Sequence, residues 1–162
     1  MGAPPEHWLF RDGPVAPGRA AVVDIDGVLS NAASRQHYLE EPIPDWEGFF
    51  DACGDDPIIE EMHRLLDLLD RDLRIVLLTA RPARVRPMTH RWLAHYQFRW
   101  DLLVMRPWGD YLSARAFKRE SVHDLRSYGF ELDLAFEDDP RNVDMFRSEQ
   151  IPCVYIHSGY YG

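Results

Sequence analysis

Short apolar runs alternate with longer amphipathic segments along most of this 162-residue chain. Five runs rich in β-branched and aliphatic residues predict buried strands, at residues 20–25, 74–79, 102–105, 132–136 and 152–156. Apolar positions at helical spacing lie between these runs and predict helices, at residues 57–71, 82–96, 114–127 and 140–148. The pattern therefore indicates strands and helices in regular alternation.

Strand–helix alternation predicts an α/β fold, here a three-layer sandwich in which helices cover both faces of a five-stranded parallel sheet. We expect one domain over residues 1–162. Residues 1–18 contain four prolines and are expected to form an irregular arm, which Trp8, Leu9 and Phe10 attach to the domain. Residues 28–56 are polar and irregular, and they are interpreted as a short insert after the first strand.

Composition excludes several classes of protein. No apolar run approaches the ~20 residues of a membrane helix, and the first residues do not have the composition of a signal peptide. We therefore expect a cytoplasmic protein without a membrane partner. The net charge of −9 argues against a general nucleic-acid binder, but the charge is uneven. Residues 21–72 hold 14 acidic residues against 3 arginines, and residues 81–126 hold 10 basic residues against 4 acidic ones.

Acidic and polar residues cluster where the predicted strands end, which is where parallel sheets bind ligands. Asp24 and Asp26 end the first strand and point to the same side of it. Two carboxylates so close repel each other unless a proton or a cation lies between them. This pair therefore indicates a functional site.

Three further features fall in the same predicted region. Thr79 ends the second strand, and three successive acids, Glu137, Asp138 and Asp139, end the fourth. Such crowded carboxylates are typical of a Mg²⁺ site, because Mg²⁺ prefers oxygen ligands. Lys118 is the only lysine of the chain and could neutralise a phosphate group close to Asp24.

These four features, in this order, resemble the haloacid dehalogenase superfamily, over residues 20 to about 160. The resemblance implies the strand order 5-4-1-2-3 for the five predicted strands, with a short or absent cap over the site. It also implies that Asp24 is the nucleophile, which forms an aspartyl-phosphate, and that Asp26 acts as general acid and base. Thr79 and Lys118 would hold the phosphoryl group.

By the same resemblance, Mg²⁺ would be bound by Asp24, the backbone carbonyl of Asp26, and Asp138. Either Glu137 or Asp139 would orient water on the metal. The second carboxylate of the pair, Asp26, favours a phosphatase over a dehalogenase.

Within the superfamily, the chain looks most like the phosphatase domain of phage polynucleotide kinase. The shared features include Thr79-Ala80-Arg81, the stretch from Met105 to Asp110, and Lys118. This resemblance implies that Arg81 and Arg106 bind the substrate phosphate. Residues 111–117 depart from the phage pattern, and the chain has no GxxxxGK(S/T) motif of a kinase.

The predicted function is Mg²⁺-dependent hydrolysis of phosphomonoesters, with a preference for a nucleic-acid 3′-phosphate or a nucleotide. A phosphatase of small sugar phosphates and a non-catalytic module that binds a phosphorylated ligand remain alternatives. The aromatic residues Trp108 and Tyr111 could stack on a base or be buried in the core, and His37 could contact the substrate or lie on the surface. The pattern leaves the oligomeric state open.

Overall fold

The computed structural model describes residues 2–161, which form one mixed sheet with helices around it. The six strands are β1 (Trp8–Phe10), β2 (Arg19–Val23), β3 (Arg74–Pro82), β4 (Leu102–Arg106), β5 (Glu131–Glu137) and β6 (Cys153–Tyr155). The α-helices are α1 (Trp46–Asp51), α2 (Glu60–Leu68), α3 (Arg86–His95), α4 (Ala114–Tyr128) and α5 (Pro140–Ser148). Short 3₁₀ helices lie at Ala33–Leu39, Cys53–Asp55 and Ala83–Val85.

The strand order is β1-β4-β3-β2-β5-β6, and all neighbours from β4 to β6 are parallel. The five predicted strands are present, in the predicted order 5-4-1-2-3, so the α/β fold and its topology are confirmed. The sheet differs from the prediction by one additional strand at its edge.

This additional strand is β1, in the segment that was expected to be irregular. It pairs antiparallel with β4, with Trp8 opposite Val104. Three residues are too few to show a period of two, so the pattern did not reveal this strand. Its position covers the edge of β4, whose backbone groups would otherwise remain unpaired.

The two faces of the sheet bury separate apolar clusters, because successive strand residues point to opposite sides. In β2, Ala21 and Val23 pack on the side of α2 and α3, whereas Ala20 and Val22 pack on the side of α4 and α5. The sheet therefore lies between two helical layers, as the three-layer prediction requires.

The register of the central strands aligns their carboxyl ends. Val23 of β2 pairs with Leu77 of β3 and with Phe136 of β5, so the residues that follow Val23 meet the ends of both neighbours. Residues 28–56, the predicted insert, contain α1 and two of the 3₁₀ helices and lie after β2. Over residues 2–161, none of the helices combines the length and the apolar character that a membrane span needs.

Candidate active site

Four residues expected to be catalytic meet in one cavity at the carboxyl ends of the central strands. This active cavity has a volume of about 120 Å³, and Asp24, Asp26, Thr79 and Lys118 line it. Asp24 directly follows β2, Thr79 lies in β3, and Lys118 lies in the second turn of α4. Ser113 caps α4 by accepting a hydrogen bond from the backbone N–H of Ala116, which helps to fix this turn.

Lys118 lies between two carboxylates at the base of the cavity. Its Nζ is 3.1 Å from Oδ1 of Asp24 and 2.6 Å from Oε1 of Glu137. Burial lowers the pKa of Lys118, but the charges of Asp24 and Glu137 outweigh burial and raise it well above its usual value. The ammonium group is therefore charged at neutral pH.

Even with Lys118 beside it, Asp24 has an unfavourable environment for a carboxylate. Burial and the neighbouring charge of Glu137 raise the pKa of Asp24 well above its usual value, although Lys118 acts in the opposite direction. A divalent cation would reverse this shift, because it favours the ionised form. Additional positive charge beside Asp24 would therefore stabilise its ionised form.

Asp26 faces two buried arginines. Its Oδ1 is 2.7 Å from Nη2 of Arg81 and 2.6 Å from Nη2 of Arg35. Burial raises the pKa of Asp26, but Arg81 and Arg35 outweigh burial and hold this pKa well below its usual value. Asp26 and Asp24 are thus two residues apart in the chain but have opposite pKa shifts.

Arg81 was expected beside the substrate phosphate. Its side chain is 0% exposed and also donates to Oγ1 of Thr89 at 3.0 Å. In this arrangement Arg81 holds Asp26 and does not line the active cavity. The backbone N–H of Arg81 donates to Oγ1 of Thr79 at 3.1 Å, which orients the threonine hydroxyl.

Arg106, the other arginine expected at the phosphate, is also absent from the wall of the active cavity. Its guanidinium donates to the carbonyl of Leu112 and lies 5.5 Å from the ring centre of Phe117. It therefore attaches the loop of residues 107–112 to the sheet. Trp108 and Tyr111 on this loop are exposed and do not line the cavity. His37 is exposed as well and packs against Tyr38.

Arg35 and Asp56 were not identified from the sequence. Arg35 is 2% exposed, and it donates to both carboxylate oxygens of Asp56, at 2.9 and 2.6 Å, and to the carbonyl of Phe49 at 2.9 Å. Asp56 is 1% exposed and balances part of the charge of the two arginines. The only sequence signal was a lone arginine in the acidic insert, which was too weak to distinguish Arg35 from a surface residue.

Arg141 and Asn142, at the start of α5, also line the active cavity and were not identified from the sequence. Arg141 pairs with Asp139 at 2.9 Å, and its side chain is 72% exposed. It therefore adds a cation at the mouth of the cavity. Asp139 is engaged in this pair and also accepts from the backbone N–H of Arg141, as the N-cap of α5.

Asp24, Glu137 and Asp138 form a group of carboxylates that could hold a metal ion, with one oxygen of each within 4.8 Å of the others. Both carboxylate oxygens of Asp138 are buried and have no hydrogen-bond partner within residues 2–161. Burial, followed by the charge of Glu137, raises the pKa of Asp138 to about 7. Buried carboxylate oxygens without partners are costly unless they bind a cation. The group therefore fits a Mg²⁺ ion, which carboxylate oxygens suit.

Gly27 is required where the chain passes this group. Its φ of +81° favours glycine, and a Cβ added there would lie 2.1 Å from Oδ2 of Asp138. The side chain of Asp26 points towards the arginines, so its expected contribution to the metal, through the backbone carbonyl, does not involve its carboxylate.

Comparisons with known proteins identify the family to which this chain is similar. Residues 18–161 match the family described as the polynucleotide kinase PNKP phosphatase domain. A comparison with curated proteins found no match.

Solved structures with a similar fold include a chain of a Pnkp1/Rnl/Hen1 RNA repair complex, which is 25% identical with a TM-score of 0.71. The match covers 91% of this chain and 45% of that one, so the present chain spans less than half the length of this relative.

Two other similar structures match over most of both chains. A haloacid dehalogenase-like hydrolase from Streptococcus pneumoniae is 14% identical, with a TM-score of 0.57, and the match covers 84% of this chain and 83% of that one. A protein described as a phosphatase from Clostridium difficile is 15% identical, with a TM-score of 0.60 and coverages of 91% and 89%. These two show the fold alone.

The match to the family covers nearly all of the chain, and the same stretch contains the cavity with Asp24, Thr79 and Lys118. The chain therefore belongs to the family of PNKP phosphatase domains within the haloacid dehalogenase superfamily, and it is a phosphatase.

Proposed function

We propose that this phosphatase uses Mg²⁺ and an aspartyl-phosphate formed on Asp24 to hydrolyse phosphomonoesters at the 3′ ends of nucleic acids. The observation that carries the proposal is the position of the Asp24 carboxylate. It lines the active cavity and lies 3.1 Å from Nζ of Lys118. Together with the carboxylates of Glu137 and Asp138, it forms the cluster that could hold a cation.

In the first half of the proposed reaction, an oxygen of Asp24 attacks phosphorus and the bond from phosphorus to the leaving oxygen breaks. Lys118 and the hydroxyl of Thr79 bind the phosphoryl oxygens, whose negative charge would otherwise repel the nucleophile. Asp24, Asp138 and the backbone carbonyl of Asp26 would hold Mg²⁺, which would supply further positive charge against the phosphate.

Asp26 would protonate the leaving oxygen and later remove a proton from the water that hydrolyses the intermediate. Arg81 and Arg35 keep it ionised in the free protein, because they lower its pKa. The ionised form suits the second half of the reaction, in which a base is needed. For the first half, Asp26 has to take up a proton from water, which the charges of Arg81 and Arg35 oppose, so we infer that substrate binding raises the pKa of Asp26 before the leaving oxygen is protonated.

Three observations support a nucleic-acid 3′ end as the substrate. The family is that of a polynucleotide kinase phosphatase domain, and a relative that is 25% identical belongs to an RNA repair complex. The active cavity, at about 120 Å³, is also smaller than the ~300–1,000 Å³ of sites that enclose a small molecule. It can accept a phosphoryl group while the remainder of a large substrate stays outside.

The test is a comparison of substrates that differ in the position of the phosphate. The purified protein is given a 3′-phosphorylated oligonucleotide, its 5′-phosphorylated isomer, a 3′-mononucleotide and a sugar phosphate, with Mg²⁺ or with excess chelator. We expect phosphate release that requires Mg²⁺ and is faster for the 3′-phosphorylated oligonucleotide than for its 5′-phosphorylated isomer or the sugar phosphate.

The variant Asp24→Asn is the catalytic control, and it should release no phosphate from any of these substrates. Fastest release from the sugar phosphate would overturn the nucleic-acid assignment and favour a metabolite phosphatase. Turnover that persists in excess chelator would overturn the role of Mg²⁺.

A further inference from the structure

A second cavity adjoins the active cavity. This outer cavity has a volume of about 320 Å³, and it shares Trp46 and Tyr161 with the active cavity. The two spaces therefore meet at this pair of aromatic side chains. A group attached to a phosphate in the active cavity can reach the outer cavity by passing along them.

The wall of the outer cavity is aromatic and has no basic residue among those that the structure describes. Besides a glycine, it comprises Gln36, Leu39, Glu40, Trp46, Tyr160 and Tyr161. Such a wall does not attract a second phosphate group, because its one charged side chain is acidic. This wall suits an uncharged planar ring with hydrogen-bonding groups at its edge. The aromatic side chains can stack on the face of such a ring, and the side chains of Gln36 and Glu40 can form hydrogen bonds with its edge.

The side chain of Trp46 is held in place by packing against neighbouring aromatic rings. It is 54% exposed, and its ring stacks on Phe50 with centroids 5.9 Å apart and contacts Phe49 edge-on at 5.7 Å. Phe49 in turn lies 4.4 Å beneath the guanidinium of Arg35, which binds Asp26. A tryptophan with one face packed against other side chains and the other face exposed loses little conformational entropy when a ligand stacks on the exposed face.

We propose that the outer cavity binds the base of the nucleotide that carries the phosphate, with Trp46 as the stacking surface. This inference rests on the proposed function, because it assumes a nucleotide at the scissile phosphate, and it adds the part of the substrate that is recognised. Trp46 is then a specificity residue, and the exposed Trp108 on the loop of residues 107–112 is not.

The experiment uses two 3′-phosphorylated oligonucleotides that are identical except that one has an abasic sugar at its 3′ end. The leaving alcohol is the same kind of sugar hydroxyl in both, so a difference in kcat/KM reports recognition of the base. We expect wild-type protein to prefer the base-bearing substrate by roughly tenfold, the effect typical of one stacked base.

The variant Trp46→Ala should bring the ratio of the two kcat/KM values close to one, and Trp46→Phe should restore most of the preference. Trp108→Ala is the matched control, since it also removes an exposed tryptophan, and it should keep the wild-type ratio. A structural defect would lower both rates without changing their ratio.

The outcomes separate this inference from the proposed function. Hydrolysis of both oligonucleotides with equal kcat/KM would leave the 3′-phosphatase assignment intact and overturn the role of the outer cavity. A preference that survives Trp46→Ala or disappears in Trp108→Ala would also overturn it. Hydrolysis of neither oligonucleotide, with turnover of a sugar phosphate, would overturn the proposed function itself.

Discussion

Asp24 and Asp26 show how surroundings give different properties to identical side chains. Asp24 is buried beside Glu137, and its pKa is raised, whereas Asp26 accepts from Arg81 and Arg35, and its pKa is lowered. The pKa of Asp24 stays raised although Lys118 lies beside it, whereas the charge of Asp26 is balanced by two arginines.

The variant Asp24→Asn should lose turnover by several orders of magnitude and keep its fold. The amide has the shape of the carboxylate but is a poor nucleophile. Phosphate release and circular dichroism are the measurements. Asp144→Asn, which changes an exposed aspartate of α5, is the matched control and should behave as wild type. Near-normal turnover in Asp24→Asn would show that Asp24 is not the nucleophile.

Asp26→Asn should slow the hydrolysis of alkyl phosphates, such as nucleotides, more than the hydrolysis of an activated aryl phosphate. A sugar alcohol needs a proton to leave, whereas an aryloxide leaves without much help. The variant also leaves the buried charge of Arg81 with less compensation, so we expect a loss of unfolding free energy of up to about 3–5 kcal/mol. Equal losses of kcat on both substrates would contradict a general acid and indicate a structural effect only.

The metal-free protein should become more stable as the pH falls from about 8 to 6, to the extent that Asp138 contributes. Its folded-state pKa of about 7 lies above the value of 3.8 for a free aspartate. The folded state therefore binds the proton more tightly than the unfolded state, and protonation through pH 7 relieves an unfavourable buried charge.

Urea unfolding in chelator across this pH range, for wild type and Asp138→Asn, isolates this contribution. The difference in unfolding free energy between the two proteins should shrink as the pH falls. Added Mg²⁺ should stabilise wild type more at pH 8 than at pH 6, since the proton and the metal compete for Asp138. A difference that is independent of pH would show that Asp138 does not titrate in this range.

At the scale of elements, short segments with little sequence signal complete the molecule. The strand β1 covers the edge of β4, and the insert brings Arg35 and Trp46 to the site. Trp8 in β1 is 7% exposed and packs against Tyr128 and Phe130, with ring centroids at 5.4 and 6.4 Å. This strand therefore contributes to the core even though it lies far from the chemistry.

Trp8→Ala should lower the unfolding free energy by about 3–5 kcal/mol, because it leaves a large cavity under β1. Trp8→Phe is the control and should cost much less, since it keeps an aromatic ring and removes an indole N–H that has no hydrogen-bond partner in the part of the chain that the structure describes. Urea titration measures both, and kcat/KM well below the melting temperature should match wild type. An Ala variant as stable as the Phe variant would show that β1 is dispensable.

At the scale of the whole molecule, the uneven charge of the sequence is partly neutralised by folding. Arg84 pairs with Asp51, and Arg91 lines a third cavity together with Asp51 and Asp55. The basic stretch thus lies beside acids of the insert, which reduces its attraction for a polyanion. Arg141 remains as an exposed cation at the mouth of the active cavity.

We therefore expect kcat/KM for a 3′-phosphorylated oligonucleotide and for a 3′-mononucleotide to decline in parallel as salt increases. Flanking phosphates that bound arginines would give the oligonucleotide a steeper salt dependence, because each contact releases counterions. Initial rates at low substrate concentration over a series of salt concentrations measure both slopes. A steeper slope for the oligonucleotide that Arg84→Gln and Arg91→Gln abolish would assign the basic stretch to substrate binding.

The sequence by itself determined the parallel sheet and the cluster of Asp24, Thr79, Lys118 and Asp138, and the family resemblance of its motifs supplied the strand order. Short apolar runs predict buried strands from local sequence alone, and ligands of parallel sheets bind where such strands end. The tertiary structure alone decided the partners of the arginines. Arg81 binds Asp26 rather than lining the cavity, and Arg35 joins it from the insert, because buried guanidinium groups must find carboxylates wherever the fold brings them near. The meeting of Trp46 and Tyr161, which are far apart in the chain, depends in the same way on packing between distant segments.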